Sequence, residues 1–339
     1  MSIRKIIGID LGTTNTRVYD PDKGVVLNMP TVVAVNPSQR RVVAVGEDAI
    51  KALKQNEEDL DIIFPLSQGT INDFNLAQAL LEYIIEDYVK WKIIKPSVFL
   101  SIPCGLTDVE KRAYKQVTIA SGAVDVKTIE QPLATAFGLG YDPLSKGGVL
   151  VVNIGGGAAE VAILSYGKLV RFDSTKIGGL FFNNQIIRSI KKDYNILLSS
   201  DTVENIKRDL LSATNSKSNE KLSVTGINLR TLLPEENSIS GFDIFSYMRY
   251  EIDRIINMIT NIIWQTPPEL IPDIVENGIM LSGGGAIINN MSDRIKLATG
   301  IDVKISKEPL LDAISGIGIA IKNWDNYRIN DSSKKEWVL

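Results

Sequence analysis

Apolar and polar positions divide this chain into short buried runs, amphipathic stretches and glycine-rich breaks, and two segments follow one plan. Residues 5–19 read KIIGIDLGTTNTRVY and residues 149–165 read VLVVNIGGGAAEVAILS. Each opens as an apolar run of buried-strand type, turns through glycine and small residues, and returns as an apolar, β-branched run. Superposed, Asp10 meets Asn153, Leu11 meets Ile154 and Gly12 meets Gly155. A repeat at this separation predicts a fold of two related halves.

Between the repeats, residues 5–35 read as strands, 44–58 as a charged helix and 75–91 as a helix with apolar residues at helical spacing. PSVFLSIP reads as a buried strand. LTDVEKRAYKQVTIASG predicts a helix capped by Thr107, with Glu110 completing a capping box and Gly122 near its end. Residues 149–175 form a second strand set, and 180–212 read as helical. The polar stretch 213–242 reads as short strands and loops of a peripheral subdomain. An amphipathic helix over 243–264 stops at Thr266-Pro267-Pro268, and a strand over 277–282 leads into Gly283, Gly284 and Gly285 before another helical run.

The two repeated turns are of a size and composition that suit phosphate. Glycine lets the main chain approach an anion, and successive N–H groups form an anion-binding concavity. Thr13, Thr14 and Asn15 add side-chain donors in the first turn, whereas Gly155, Gly156 and Gly157 leave only backbone in the second. Read without a ligand, the same segments are two glycine-containing hairpins. The GGG at 283–285 is a weak signal alone, but a strand–glycine–helix junction also aims free N–H groups at a ligand. No GxxxxGK[ST] occurs, and no GxGxxG spacing supports a Rossmann site.

Composition narrows the chemistry. At 339 residues the expectation is two domains of ordinary size, and 44% hydrophobic with 23% charged residues is normal for a globular protein. A net charge of −3 gives no electrostatic case for nucleic acid as the main partner. Cys104 is the single cysteine, so no intrachain disulfide forms and a reducing cytoplasm is the natural setting. It reads as a small buried residue. There is no histidine, which removes the commonest general base and transition-metal ligand and leaves a hard ion such as Mg²⁺. No signal peptide is expected, and no run reaches the roughly 18 apolar residues of a spanning helix.

Taken together, DLGTTNT, NIGGG and LSGGGA resemble the two phosphate loops and the adenosine loop of the actin and sugar-kinase superfamily. Within it, DKGVVLNMPTVVAV, PLSQGTINDF, IPCGLTDVEKRA, IEQPLATAFG, TPPELIPDIVENGIMLSGGGAI and TGIDVKISKEPL resemble MreB, the bacterial actin, over nearly the whole chain. The resemblance implies an α/β, actin-like duplicated fold with two large and two small subdomains around a nucleotide cleft. Their implied bounds are 1–31, 69–140 and 308–339 (IA), 32–68 (IB), 141–180 and 243–307 (IIA), and 181–242 (IIB). It implies ATP or ADP with Mg²⁺ as cofactors. It also implies self-assembly into antiparallel double filaments for cell shape or helicity, on the anionic inner face of the membrane, with other MreB subunits as further partners. Set beside the MreB resemblance, the short N-terminus, lack of histidine and Ile/Asn/Lys-rich composition suggest an AT-rich, wall-less bacterium such as a spiroplasma.

The resemblance assigns roles residue by residue. Thr13, Thr14, Asn15, Gly155, Gly156 and Gly157 would hold phosphate. Glu204 and Lys207, otherwise a solvated i,i+3 pair, would flank the adenosine with Gly283, Gly284, Gly285 and Ala286. Asp10 and Asn153 would meet the metal through water. Glu130 and Gln131 would position the attacking water. MreB proteins usually carry DIGGGTTE, IEEP and GGDxFDEAI where this chain has NIGGGAAE, IEQP and GGLFFNNQI. Asn153 thus replaces a carboxylate, Gln131 a glutamate and Ala158 a threonine, and three acids are lost at Leu180, Asn183 and Asn184. Attack on a γ-phosphate depends on positioned water and charge compensation, so weak hydrolysis with retained binding is expected. A fully active MreB ATPase and a small-molecule kinase are the alternatives, although no motif supplies a kinase's carboxylate base. In VKWKIIKP, Trp91, Ile93 and Ile94 among lysines suit an anionic interface; they also read as the start of the following strand.

Overall fold

A computed structural model describes residues 5–39, 41–55, 60–89, 95–142 and 145–323. The first half opens with β1 (Ile6–Leu11), β2 (Asn15–Asp20) and β3 (Gly24–Pro30). A small sheet of β4 (Val33–Asn36), β5 (Arg41–Val45) and β6 (Asp61–Ile63) follows, with α1 (Gly46–Gln55) inserted. After the β7 (Leu66–Ser67) and β8 (Thr70–Ile71) hairpin come α2 (Phe74–Val89), β9 (Ser97–Ile102), α3 (Asp108–Ala120), β10 (Asp125–Glu130) and α4 (Gln131–Gly138).

The second half repeats the opening with β11 (Val149–Ile154), β12 (Ala159–Ser165) and β13 (Lys168–Thr175). It continues through α5 (Gly179–Tyr194), β14 (Ile196–Leu197), α6 (Ser200–Leu210), β15 (Lys221–Asn228), β16 (Pro234–Ser240) and the long α7 (Gly241–Trp264). It closes with α8 (Ile271–Asn277), β17 (Ile279–Ser282), α9 (Met291–Thr299), β18 (Val303–Ile305) and α10 (Asp312–Lys322).

The duplication is explicit in the pairing. One sheet runs β10-β9-β1-β2-β3 and the other β18-β17-β11-β12-β13. In each, two hairpins are antiparallel and two crossovers are parallel. Register gives the correspondence residue by residue. Asp10 faces Arg17 on one side and Ser101 on the other; Asn153 faces Glu160 and Ser282. Both turns close with the same bond, Gly12 N–H to Asn15 O at 3.2 Å and Gly155 N–H to Ala158 O at 2.9 Å.

The near-continuous apolar sequence of β11 and β12 reflects burial on both faces. Helix α7 packs its apolar stripe, from Ile244 to Ile262, into the core of the second half. A separate cluster joins the halves: Ala134 and Phe137 of α4 and Ile314 and Ile317 of α10 meet Phe99 of one sheet and Val149 and Ala162 of the other.

The capping box at Thr107 and Glu110 forms as expected, and an equivalent box at Ser240 and Asp243 starts α7. Residues 180–212 differ from the expected continuous helical stretch. Asn195 ends α5 in the left-handed region at φ 56°, Ile196 and Leu197 pair with β15, and Ser199 caps a new helix. Asparagine tolerates that conformation, and serine satisfies the orphan N–H groups of the next helix start. In the 44–58 segment, residues 44–45 complete β5, and α1 begins at Gly46.

Candidate functional site

A cleft of about 540 Å³ lies between the halves, the volume range of a small-molecule or nucleotide site. The ends of β1, β11 and β17 open into it. The two repeated turns face each other there: a Cβ on Gly156 would collide with the Thr14 side chain, and one on Gly157 with Thr13. Glycine at these positions is a steric requirement for bringing the turns together. The first turn is held from behind by Thr31, whose hydroxyl donates to Gly12 O at 2.7 Å. Thr13 accepts the Gly69 N–H at 3.2 Å, and Tyr114 donates to Gly69 O at 2.9 Å, which fixes the β7–β8 hairpin over the site. The second turn is held by the start of α5, through Gly179 N–H to Gly155 O at 2.9 Å and Leu180 N–H to Gly156 O at 2.8 Å.

The third glycine segment completes the wall. Gly283 adopts φ +79°, where a side chain is strained and would strike Ile154 O and the Asn153 carboxamide. A single 3-10 turn, Gly284–Ile287, then leads away, and α9 begins only at Met291. The expected strand–glycine–helix junction is therefore a strand–glycine–3-10 junction. Gly284 has room for a Cβ, with Leu310 at 3.7 Å as its nearest contact.

At the floor, Asp10 is 3% exposed and Glu160 2%. Burial pushes the Asp10 carboxyl above its ordinary value, and Arg17 beside it and the Ser101 hydroxyl offset this only in part. Arg17 Nη1 lies 3.3 Å from Asp10 Oδ2, and Gln131 Nε2 approaches Asp10 Oδ1 at 3.5 Å. Burial likewise pushes Glu160 up, to about 6, against the lowering effect of the Cys104 N–H and the nearby Asn153 amide. Glu160 Oε1 accepts that N–H at 2.7 Å, while its Oε2 is buried without a hydrogen-bond partner. Cys104 is buried, and desolvation followed by the charge of Glu160 pushes its thiol far above the usual range.

On the side wall, Lys207 Nζ contacts Glu204 Oε2 at 2.8 Å and Asn183 Nδ2 donates to the same oxygen at 2.9 Å. Partial burial raises the Glu204 carboxyl, but these bonds outweigh it and leave the group below its ordinary value.

Asp10, Thr13, Thr14, Asn15, Gln131, Asn153, Gly155, Gly156, Gly157, Ala158, Glu204, Lys207, Gly283, Gly284 and Gly285 all line this one cleft. Two sequence-derived candidates do not. Glu130 ends β10 and its carboxylate lies 3.7 Å from Lys111 Nζ, whereas Gln131 begins α4 and lines the cleft. Ala286 is buried within the 3-10 turn, and Ile287 and Ile288 line the cleft instead. Trp91, Ile93 and Ile94 lie outside the described residues.

The family described as MreB/Mbl protein matches residues 4–329. This chain belongs to the MreB/Mbl family. It is 34% identical to the cell shape-determining protein MreB of Escherichia coli (strain K12) over 325 residues, 94% of each chain. It is 32% identical to Mbl of Bacillus subtilis (strain 168), covering 94% of this chain and 96% of that one. Its structure matches MreB5 of Spiroplasma citri with a TM-score of 0.89 at 31% identity, over 97% of this chain and 99% of the other; that protein was solved bound to ADP and to AMPPNP. The chain is thus an MreB-family, actin-like cytoskeletal protein, and its fold is actin-like.

Within this MreB/Mbl frame, three charged cleft residues escaped the reading of the sequence: Arg208 on α6, and Arg17 and Glu160. Arg17 and Glu160 sit in the return strands of the two turns, opposite Asp10 and Asn153. The signal for these two was present in the repeat itself: extending the superposition past the turns pairs Arg17 with Glu160, the first charged residue after each turn.

Proposed function

We propose that this chain binds ADP or ATP in the cleft, assembles into paired filaments and hydrolyses ATP slowly. The observation that carries the binding reading is the apposition of Gly156 and Gly157 with Thr14 and Thr13, which aims two anion-binding turns at one space. The ADP and AMPPNP held by Spiroplasma MreB5 support it. In this reading Gly283 and Gly284 receive the base, Glu204 and Lys207 flank the adenosine, and the four subdomains divide as the family pattern implies. Binding is tested by titrating a labelled ATP analogue against wild type and Gly284→Asp. The added carboxylate has space to extend into the cleft and meets the nucleotide there. Loss of at least about tenfold in affinity is expected, the scale of one misplaced charge; equal binding by both proteins rejects the site.

Slow hydrolysis rests on Gln131, Asn153 and Ala158. All three line the cleft, and none carries a carboxylate or hydroxyl. Gln131 can orient water by hydrogen bonding but cannot accept its proton. Loss of one such group commonly costs roughly 10²-fold in rate, and losses acting on one water do not add. The combined variant Gln131→Glu, Asn153→Asp, Ala158→Thr is expected to release phosphate faster with little change in ATP affinity. Wild-type release as fast as the variant's would defeat this reading.

Magnesium is the counter-ion that the resemblance implies, with Asp10 and Asn153 meeting it through water. The donors here do not fit an ion held by protein carboxylates. Asp10 is ion-paired with Arg17, Asn153 is uncharged, and one Glu160 oxygen is taken by the Cys104 N–H. Among the described residues no group of three or more His, Cys, Asp or Glu side chains is placed to hold a metal.

Membrane contact through Trp91, Ile93 and Ile94 completes the proposal, with a role in cell shape or helicity. No described helix is long and apolar enough to cross a membrane. Serine at all three positions is expected to reduce co-sedimentation with anionic liposomes while nucleotide binding persists. If only removal of residues 324–339, which carry Trp324, Tyr327 and Trp337 beside Lys334 and Lys335, abolishes it, that segment is the anchor.

A further inference from the structure

We propose that Arg17 is a built-in counter-charge for the nucleotide's phosphates, so that this chain retains ADP and ATP without a divalent cation. The proposal rests on the nucleotide reading above and goes beyond it.

The geometry begins with register. Arg17 stands directly across the β1–β2 ladder from Asp10, and both line the cleft beside the phosphate turns. Its side chain is only 13% exposed, and one nitrogen, Nη1, lies on Asp10 Oδ2 at 3.3 Å. A guanidinium carries five N–H donors in a rigid fork. Here Nε is buried with no hydrogen-bond partner, and the ion pair to Asp10 engages only Nη1, on a side chain that lines the cleft. Asp10 therefore does to Arg17 what an orienting carboxylate does: it fixes the fork at the cleft wall while engaging only part of its donor set.

Charge balance points the same way. The cleft's ionisable walls are Asp10, Glu160 and Glu204 against Arg17, Lys207 and Arg208, three acids and three bases. A site that recruits a divalent ion presents surplus carboxylate to it; magnesium is typically held by one or two carboxylates together with substrate phosphates. This site has an amide at the second carboxylate position, Asn153, and a fixed cation on the first. A divalent ion at Asp10 must compete with a guanidinium a few ångströms away. Phosphate oxygens share the guanidinium with Asp10, and arginine can bind both because it presents several charge-assisted donors.

The duplication sharpens the assignment. The residue equivalent to Arg17 in the second half is Glu160, whose carboxyl faces Asn153 and accepts the Cys104 N–H. The two halves thus offer opposite charges at equivalent positions, and only the first half offers a cation beside a side-chain donor loop, Thr13 to Asn15.

The test is equilibrium binding of fluorescent ADP and ATP to the full chain, in Mg²⁺ and in EDTA. Wild type is expected to change affinity by no more than about threefold between the two conditions. Arg17→Gln is expected to lose about tenfold or more in EDTA, the scale of a charge-assisted hydrogen bond, and to recover part of the loss when Mg²⁺ is added. Arg17→Lys keeps the charge and is expected to keep most of the binding in EDTA. Wild type that binds in Mg²⁺ but loses more than about tenfold in EDTA, by the same scale, overturns the proposal even if the Gln variant does not fold. Wild type that binds in neither condition rejects the nucleotide reading as well, so the two failures are distinct.

Discussion

Glu160 shows how one buried carboxyl couples the site to pH. Its pKa is raised by burial to about 6 from an ordinary 4.5, so the folded protein binds its proton more tightly than the unfolded chain does. Between those values the native state carries more protons, and stability falls as pH rises. The cost is absent below the unfolded value and complete above the folded one. It amounts to about 2 kcal/mol, at roughly 1.4 kcal/mol per pKa unit. Glu160→Gln cannot titrate, so the difference in unfolding free energy between wild type and variant should change by about that amount across this window, in favour of the variant at higher pH. Denaturant melts at several pH values measure it, and parallel curves would mean that Glu160 titrates normally. At this scale the glycines and Thr13 to Asn15 were legible because their residue types already state a backbone requirement. Arg17 and Glu160 were not, because a charge inside an apolar run acquires a meaning only when strand register shows what it faces. Glu130 and Gln131 are adjacent in sequence but divide at a strand–helix junction, where Glu130 pairs with Lys111 and Gln131 lines the cleft.

Among the elements, α4 and α10 make the tightest approach. A Cβ on Gly138 would collide with Asp312 O, and one on Gly316 with Ala134 O, so the helices touch backbone to backbone. The obstacle in each case is main chain, which cannot rotate out of the way as a side-chain tip can. Gly316→Ala is therefore expected to cost about 3 kcal/mol or more, at or beyond the usual range for overpacking. Gly24→Ala provides the control. Gly24 lies at φ +82° with nothing within 4 Å of the added carbon, and only the left-handed backbone penalty of about 1 kcal/mol applies. Equal losses for the two variants, read from unfolding midpoints, would show that the helices separate easily. Element types were readable where periodicity was long, as in α3 and α7. The break between α5 and α6 was not, because Asn195 and a two-residue strand interrupt a pattern that is otherwise continuously compatible with helix. Tertiary pairing with β15 decides that interruption.

The whole molecule is two copies of one sheet plan joined by α4, α10 and the cleft. The repeat in the sequence carried this far, since equivalent turns must end equivalent strands. A ligand spanning both turns contacts both halves, so it biases their relative setting as well as filling a pocket. Assembly is the matching expectation at this scale. A head-to-tail contact that repeats without closing produces a filament, and a filament grows only above a threshold concentration. Each subunit added must keep its two halves in the setting that the contact requires, and the nucleotide turns are the parts best placed to hold it. Pelleting across a concentration series, with ADP, with a non-hydrolysable ATP analogue and without nucleotide, should therefore show a sharp threshold that shifts between nucleotide states. Electron microscopy of the pellets should show paired protofilaments. A monomer that persists at every concentration, salt and nucleotide condition would defeat the filament reading while leaving the binding site intact. A threshold identical in all nucleotide states would keep the filament and remove the link between cleft and contact.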